Sequence, residues 1–449
     1  MTHSLANLQS ELIAAEIDVL RVIYADIIGT IRSKDLLVSE LDKIHHGGPT
    51  FCQGVWVTTT QGGVLDGADV LSNGLEDFVT QIVTDSWRAL PWEPGVAYVV
   101  AGANNPDMTP NELAPRTLLE RIVNEYKELG LVPVAGPELE FYIADVNDDG
   151  TYRRAINPSG RVYTSGATVD PKGTFLHLLD RLRIGVFAGN HEFSPSQYEI
   201  NIWHGEALDA CDRIWMLKAG VKDVIARLGQ AATFSGKPWS DEGGSGFHLH
   251  LSLESPTGEN LMHDASADDG LSTIARRMIA GIMEHAPALV AICNPTINSF
   301  RRLGPDTLAP YRANWGFDNR SAMVRIPPER GGGTRLEIRL GDGAANAYLM
   351  TAALLAAGLD GIRRELEPPA AAVGYAYEDE SCPVLPMTLG DALDALRADE
   401  RLRELMGGPL VDVFEVMKRD EIERFTEAVG PDMPDEVTEW EVKEYFLDL

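Results

Sequence analysis

The sequence predicts an α+β protein in two parts, a small N-terminal unit and a larger unit in which a sheet is covered by helices. Three observations carry this reading. A Pro-rich, loop-like segment at 103–115 divides the chain, an amphipathic helical pattern begins just after it, and four short strand-like runs with unusual polar faces follow. The 449 residues suffice for two or three domains, and 44% hydrophobic with 24% charged residues is the composition of a folded globular chain.

In the first part, residues 7–17 have helical spacing, and an apolar, β-rich stretch from Val19 to Ile28 then turns at Gly29. Strand-like segments recur to about Gly102 with Gly and Pro between them, as in a small α+β unit. The segment ANNPDMTPNELAP separates a first domain, 1–104, from a second, 110–449. From Arg116, the residues Leu118, Leu119, Ile122, Val123, Tyr126 and Leu129 fall on one helical face, and Gly130 ends the pattern. Further helical patterns at 207–228, 271–290, 345–365 and 410–427 alternate with short strands, and the Pro-rich, acidic stretch from Glu367 to Pro386 reads as an exposed loop.

The chain carries 38 Lys and Arg against 68 Asp and Glu, a net charge of −30. Binding to nucleic acid or anionic lipid rests on a surplus of basic groups, so neither partner is expected, and any anionic ligand needs a local cluster. Cys52, Cys211, Cys293 and Cys382 form no CxxC pair and read as free thiols in a reducing compartment. The opening MTHSLANLQS lacks the basic and apolar regions of a signal peptide, and no apolar run reaches the roughly 18 residues of a membrane span. The expectation is a cytoplasmic protein.

Side chains alternate across a strand, so each strand-like run splits into two faces. In Pro137–Ile143 the apolar residues oppose Glu138 and Glu140; in Gln197–Trp203 they oppose Gln197, Glu199 and Asn201. In Gly246–Leu253 they oppose His248, His250 and Ser252; in Thr334–Leu340 they oppose Arg335, Glu337 and Arg339. Any one of these is compatible with an ordinary solvated face. Together they present carboxylate, imidazole and guanidinium with almost no Lys, which points to a functional cavity. Carboxylate-rich sets with an occasional imidazole suit hard divalent cations such as Mg²⁺ or Mn²⁺. Glu138, Glu140, Glu192, Glu199, His248 and Glu337 supply enough ligands for two ions, without the sequence dividing them; His191 reads as structural.

The stretch from Arg301 to Arg339 holds Arg301, Arg302, Arg312, Arg320, Arg325, Arg330, Arg335 and Arg339 and no Lys, against only Asp306, Asp318, Glu329 and Glu337. Arg forks bind carboxylate and phosphate through two parallel hydrogen bonds, so a nucleotide and a carboxylate substrate are expected here. Gly243–Gly246 precedes a strand and lacks the Lys-Ser/Thr of a phosphate loop, so it matches neither nucleotide fingerprint. Gly331–Gly333 reads either as a loop near phosphates or as a hairpin tip.

With these residues in place, the sequence resembles the glutamine synthetases. The resemblance is carried, in order, by GPELEFY at 136–142, NHEFSPSQYEIN at 190–201, TFSGKP at 233–238, GGSGFHLHLS at 243–252, NPTINSFRRLGP at 294–305, NRSAMVRIP at 319–327, TRLEIRL at 334–340 and EWEVKEYF at 439–446. It implies a small β-grasp-like N-terminal domain, a large catalytic domain with a curved antiparallel sheet, and a ring-shaped homo-oligomer, commonly a dodecamer of two hexameric rings, with active sites between subunits. It implies ATP-dependent joining of the γ-carboxylate of L-glutamate to an amine through γ-glutamyl phosphate, with two or three Mg²⁺ or Mn²⁺ ions. Glu140, Glu192 and Glu199 would hold one metal, and Glu138, His248 and Glu337 the other. Gly244, Arg302, Arg320 and Arg339 would address glutamate, with Arg320 and Arg339 also serving the transferred phosphoryl group. His250, Ser252 and Arg325 would contact ATP, with Arg335 near the adenine and Arg330 a looser nucleotide candidate.

Family members that use ammonia carry an acidic residue in an N-terminal Phe-Asp-Gly-Ser-like segment and a flap glutamate. The matching positions here are Phe51-Cys52-Gln53-Gly54 and Leu308, with no acid at either. An amine pocket formed by Cys52, Gln53 and Leu308 would bind ammonium poorly and admit an amine bearing carbon. A γ-glutamylamide synthetase is therefore the favoured expectation, with ordinary glutamine synthesis and a non-catalytic structural homologue as alternatives. Two further positions depart from the family: Gly243 stands where Asn is common, and Phe187 where a nucleotide-contacting acid is common. Gly374–Tyr377 does not match the family's adenylylated-tyrosine segment.

Overall fold

The computed structural model describes residues 4–44, 47–65, 74–155, 162 and 175–449. The β-rich stretch after the first helix forms the strand Val19–Ala25, and its alternation fixes which side each residue buries. Leu20 and Val22 pack with Leu8 and Leu12 of the helix Leu5–Ala14, whereas Ile23 on the other face joins the main core. The strand pairs antiparallel with Ile31–Leu37 and parallel with Val96–Asn104. Asp77–Ile82, Thr50–Cys52 and Arg88–Ala89 complete a six-stranded mixed sheet. A parallel central pair with a helix against one face is the β-grasp-like arrangement expected. The first helix is shorter than its periodicity, because Glu16 takes a left-handed φ of 59° beyond its last turn.

The second sheet has ten strands built around Val132–Val146, a 15-residue strand that contains the whole Pro137–Ile143 run. Phe247–Glu254 and Gln197–Ile202 both pair with it antiparallel. Leu336–Ile338 pairs with Phe247–Glu254 and with Val324–Ile326. The sheet is not wholly antiparallel, since Trp315–Phe317 and Val324–Ile326 run parallel at one edge. The predicted strand 334–340 narrows to Leu336–Ile338, although every residue from Leu336 to Leu340 is buried, on both faces.

Helices cover this sheet. Pro115–Glu128 buries the predicted face of Leu118, Leu119, Ile122, Val123 and Tyr126, and the chain leaves it through Gly130 at φ 75°. Ala207–Arg227, Ala347–Arg364 and Gly408–Ala428 lie where the periodicity put them. The pattern at 271–290 is two helices, Thr273–Glu284 and Ala286–Cys293, broken at His285 with Pro287 in the second helix's first turn. Thr273–Glu284 and Ala347–Arg364 cross backbone to backbone: a Cβ on Gly281 would lie 2.0 Å from the Ala357 carbonyl oxygen. The segment 367–386 is a largely exposed loop as expected, but Ala376, Tyr377 and Leu385 are buried and pin it to the second sheet's edge while Val373 projects. Asn346 ties the helix Ala347–Arg364 to the end of the first sheet's strand Val19–Ala25: its Oδ1 caps the helix and its Nδ2 donates to the Asp26 carbonyl at 2.7 Å. Among the described residues, no helix is long and apolar enough to cross a membrane, and the four cysteines are free.

Candidate active site

Strand register assembles the polar faces. Glu199 lies opposite Glu140, and Asn201 and His248 lie opposite Glu138 on its two sides. His250 lies opposite Glu337. The side chains converge accordingly. Ligand atoms of Glu138, Glu199 and His248 lie within 4.8 Å of one another, as do those of Glu138, His250 and Glu337. His250 Nε2 is 3.0 Å from one Glu138 oxygen, and His248 Nδ1 is 3.6 Å from the other. Glu140 is turned toward the protein, accepting from Gly246 N at 2.7 Å and Gln197 Nε2 at 3.0 Å. Glu192, beyond the end of the strand Val186–His191, accepts from Asn190 Nδ2 at 2.6 Å.

The electrostatics of this cluster favour a cation. Burial, with the neighbouring Glu192 charge, pushes Glu140 up to about 7. Burial and the charges of Glu138, Glu140 and Glu192 push Glu199 up to about 8, and burial also raises Glu192. Burial alone would raise Glu138 as well, but hydrogen bonds and charge from His248 and His250 hold it far below the carboxylate range. His248 is lowered to about 4 by burial and by Arg339. Glu337 is held at about 2, against its own burial, by His248, Arg339, His250 and Arg325. Carboxylates that crowd one another until they take up protons near neutrality are a donor set suited to a hard divalent ion, so the residues present fit Mg²⁺ or Mn²⁺.

Arginines close the other side. Arg339 donates to Glu337 Oε1 at 2.6 Å, to the Arg320 carbonyl at 3.1 Å and to the Leu308 carbonyl at 3.2 Å. Arg325 bridges Glu337 and Asp318, the latter at 2.6 Å. Arg302 is buried and donates to the carbonyls of Arg339 and Leu340. Burial lowers it, with Asp342 and Glu140 opposing. Gly244 permits this: a Cβ there would lie 2.6 Å from Arg302 Cγ. Arg320 is exposed, and its charge acts on Glu192.

A cavity of about 260 Å³ adjoins the cluster, lined among others by Glu138, His250, Ser252, Arg335 and Gly332–Gly333. Arg335 Nε donates to His250 Nδ1 at 3.0 Å, so two of the nucleotide candidates are in contact. Arg330 points elsewhere, onto the carbonyls of Asp269, Pro327 and Glu329. The sequence reading missed the cavity's aromatic wall. Phe187 and Trp203, both about half exposed, stack with centroids 4.3 Å apart. The available signal was Trp203 at the end of a polar-faced strand and Phe187 where an acid is common.

The three amine-pocket residues are held by different parts of the fold. Cys52 is near the Leu75 carbonyl and Gly54 N, and Gln53 accepts from Asn111 at 3.4 Å, all by the first sheet. Leu308, half exposed at a left-handed φ of 62°, sits beside Arg339 at the second. Among the described residues no hydrogen bond joins the two segments.

Comparison with known proteins bears on this geometry. Residues 112–445 match the family model described as glutamine synthetase, catalytic domain. A glutamine synthetase of Pyrococcus horikoshii is 34% identical over 444 residues, covering 95% of each chain. One from Staphylococcus aureus is 32% identical over 440 residues, covering 95% of this chain and 94% of the other. A solved structure of a GmaS/ADP complex superposes with a TM-score of 0.84 at 30% identity, covering 99% of both chains. GmaS without ligand gives 0.83 at 31%, with the same coverage.

Proposed function

The chain belongs to the glutamine synthetase family and is an ATP-dependent glutamate ligase; on that premise we propose that it joins the γ-carboxylate of L-glutamate to an organic amine, forming a γ-glutamylamide through γ-glutamyl phosphate. The observation that carries the choice of amine is Leu308, an apolar, half-exposed residue whose backbone carbonyl accepts from Arg339, at a position where ammonium would call for a carboxylate. Contact of Leu308 with an alkyl group contributes about 25 cal/mol per Å² of apolar area removed from water. The likeness to the GmaS structures favours ligation of an amine. The second reading, ligation of ammonium, is favoured by the relatives that are named glutamine synthetases.

Glutamate and the ATP γ-phosphate are both anionic, so their approach needs compensating charge. Glu138, Glu140, Glu192, Glu199, His248 and Glu337 would hold two or three Mg²⁺ or Mn²⁺ ions, which when bound polarise the phosphoryl oxygens and offset that repulsion. Arg302 and Gly244 would seat the glutamate, and Arg320 and Arg339 would stabilise the charge that grows on the transferred phosphoryl group. His250, Ser252 and Arg335 would bind ATP from the cavity wall, in line with ADP in the GmaS structure. Arg325, tied to Glu337 and Asp318, would reach phosphate after exchanging one of those partners. Arg330 remains the weakest nucleotide candidate.

The placement of Cys52 and Gln53 on the first sheet and of Leu308 by the second is compatible with a ring-shaped homo-oligomer, a dodecamer in this reading, in which one subunit's first sheet completes its neighbour's amine pocket. The four free cysteines suit a reducing cytoplasm. The test is ADP release with glutamate and Mg²⁺ against ammonium, alkylamines, ethanolamine, diamines and aromatic amines. Stimulation chiefly by a carbon-bearing amine supports the proposal; stimulation chiefly by ammonium at low-millimolar KM overturns it.

A further inference from the structure

Four carboxylates lie within the arginine-rich window 301–339, and three are paired to its arginines. Asp318 pairs with Arg325 at 2.6 Å, Glu329 with Arg335 at 3.1 Å, and Glu337 with Arg339 at 2.6 Å. Asp306 is the exception: among the described residues it has no ion pair, and its recorded partner is the Tyr375 hydroxyl, which donates to Oδ1 at 2.5 Å. A carboxylate left without an arginine in a window this rich in them is open to a cation from outside.

Its surroundings fit that use. Asp306 and Leu308 both take a left-handed φ of 62°, which places two strained residues on either side of Thr307 in a short exposed turn. The turn is anchored on the glutamate side by the Arg339 donation to the Leu308 carbonyl. Behind it lies Tyr377, 5% exposed, with its hydroxyl facing the Leu308 backbone. Tyr377 feels the charges of Arg339, Arg302 and Asp306 together. The loop that carries both tyrosines is bound to the window by Asn319 Nδ2 to the Gly374 carbonyl and by Ala376 N to Ser321 Oγ, each at 2.8 Å. The turn thus presents an exposed carboxylate held by Tyr375 and an exposed apolar side chain, with the Tyr377 hydroxyl buried behind the Leu308 backbone.

We propose that Asp306 is the catalytic residue that receives the amine as its ammonium form and takes its first proton, with Tyr375 positioning the carboxylate and Leu308 packing on the amine's carbon. The inference rests on the proposed ligase reading and names the group that serves it. One proton passes from R–NH₃⁺ to the Asp306 carboxylate. The neutral amine then attacks the γ-carbonyl carbon of γ-glutamyl phosphate, forming the C–N bond. As the carbon–oxygen bond to phosphate breaks, the electron pair leaves with phosphate, which takes the second N–H proton and departs as HPO₄²⁻. Water recovers the first proton from Asp306.

The test compares wild type, Asp306→Asn, Asp306→Glu and Tyr375→Phe with ethylammonium and with ammonium as donors. Asp306→Asn is expected to lower kcat/KM for the donor by about 100-fold or more, the usual range for a general base, with a much smaller change in the KM for glutamate. Asp306→Glu retains most of the activity, and Tyr375→Phe falls between. Unchanged donor kcat/KM in Asp306→Asn overturns the inference, as does equal impairment of the Asn and Glu variants, since charge would then not be the property used. If wild type turns over ammonium alone, the organic-amine reading fails, and the same Asp306 comparison made with ammonium still decides this one.

Discussion

Glu140 and Glu199 stand directly opposite each other across two antiparallel strands, in the register of Val132–Val146 with Gln197–Ile202. Like charges in register destabilise a sheet, and here both carboxyls are also partly buried. The fold tolerates the pair because burial and mutual repulsion raise them to about 7 and about 8, so that they share the site with protons when no cation is there.

A pH-dependent response to metal follows. In the unfolded chain these carboxyls titrate near 4.5, so between that value and about 8 the folded protein binds more protons than the unfolded one. Stability of the metal-free protein therefore falls as pH rises through this window. Mg²⁺ replaces the protons and restores it. The gain in Tm on adding Mg²⁺ should be larger at pH 8 than at pH 6, and Glu199→Gln should reduce the gain at pH 8. Calorimetry at the two pH values checks this, and an equal gain at both would remove the linkage.

The aromatic wall makes a prediction about the nucleotide. Phe187 and Trp203 offer a stacked face to the cavity that also contains His250 and Arg335. Loss of one stacking face costs about 1–2 kcal/mol, so Trp203→Ala should raise the KM for ATP about tenfold and leave the KM for glutamate close to wild type. Initial-rate kinetics with each substrate varied in turn separates the two.

Much of this site was legible in the sequence because strand alternation is a strict period. Glu138, Glu140, Glu199, His248, His250 and Glu337 could be assigned to polar faces from their neighbours alone, and the register then brought those faces together. What the sequence did not show depends on long-range geometry. Gln197 and Gly246 holding Glu140 aside, His250 beside Glu138, and Gly244 making room for Arg302 each join positions far apart in the chain. The fold was legible to a similar depth. Periodicity found the helices but could not place the break at His285, and composition found the exposed loop 367–386 but not the buried tyrosine and leucine that pin it to the sheet's edge.

Leu308 provides a change of specificity. Leu308→Glu adds a carboxylate beside Arg339, where the wild-type residue presents only carbon. The variant should use ammonium better, by about tenfold in kcat/KM, and a carbon-bearing amine worse. Parallel assays with the two donors check both directions, and no gain with ammonium would place the amine elsewhere.

The most direct test of the account is a competition in which wild-type protein receives glutamate, ATP, Mg²⁺ and equal concentrations of ammonium and of the best organic amine from the panel, with the products separated by mass. A mixture dominated by the γ-glutamylamide is the predicted result. A mixture dominated by glutamine would contradict it, and would make the protein a glutamine synthetase in activity as well as in fold.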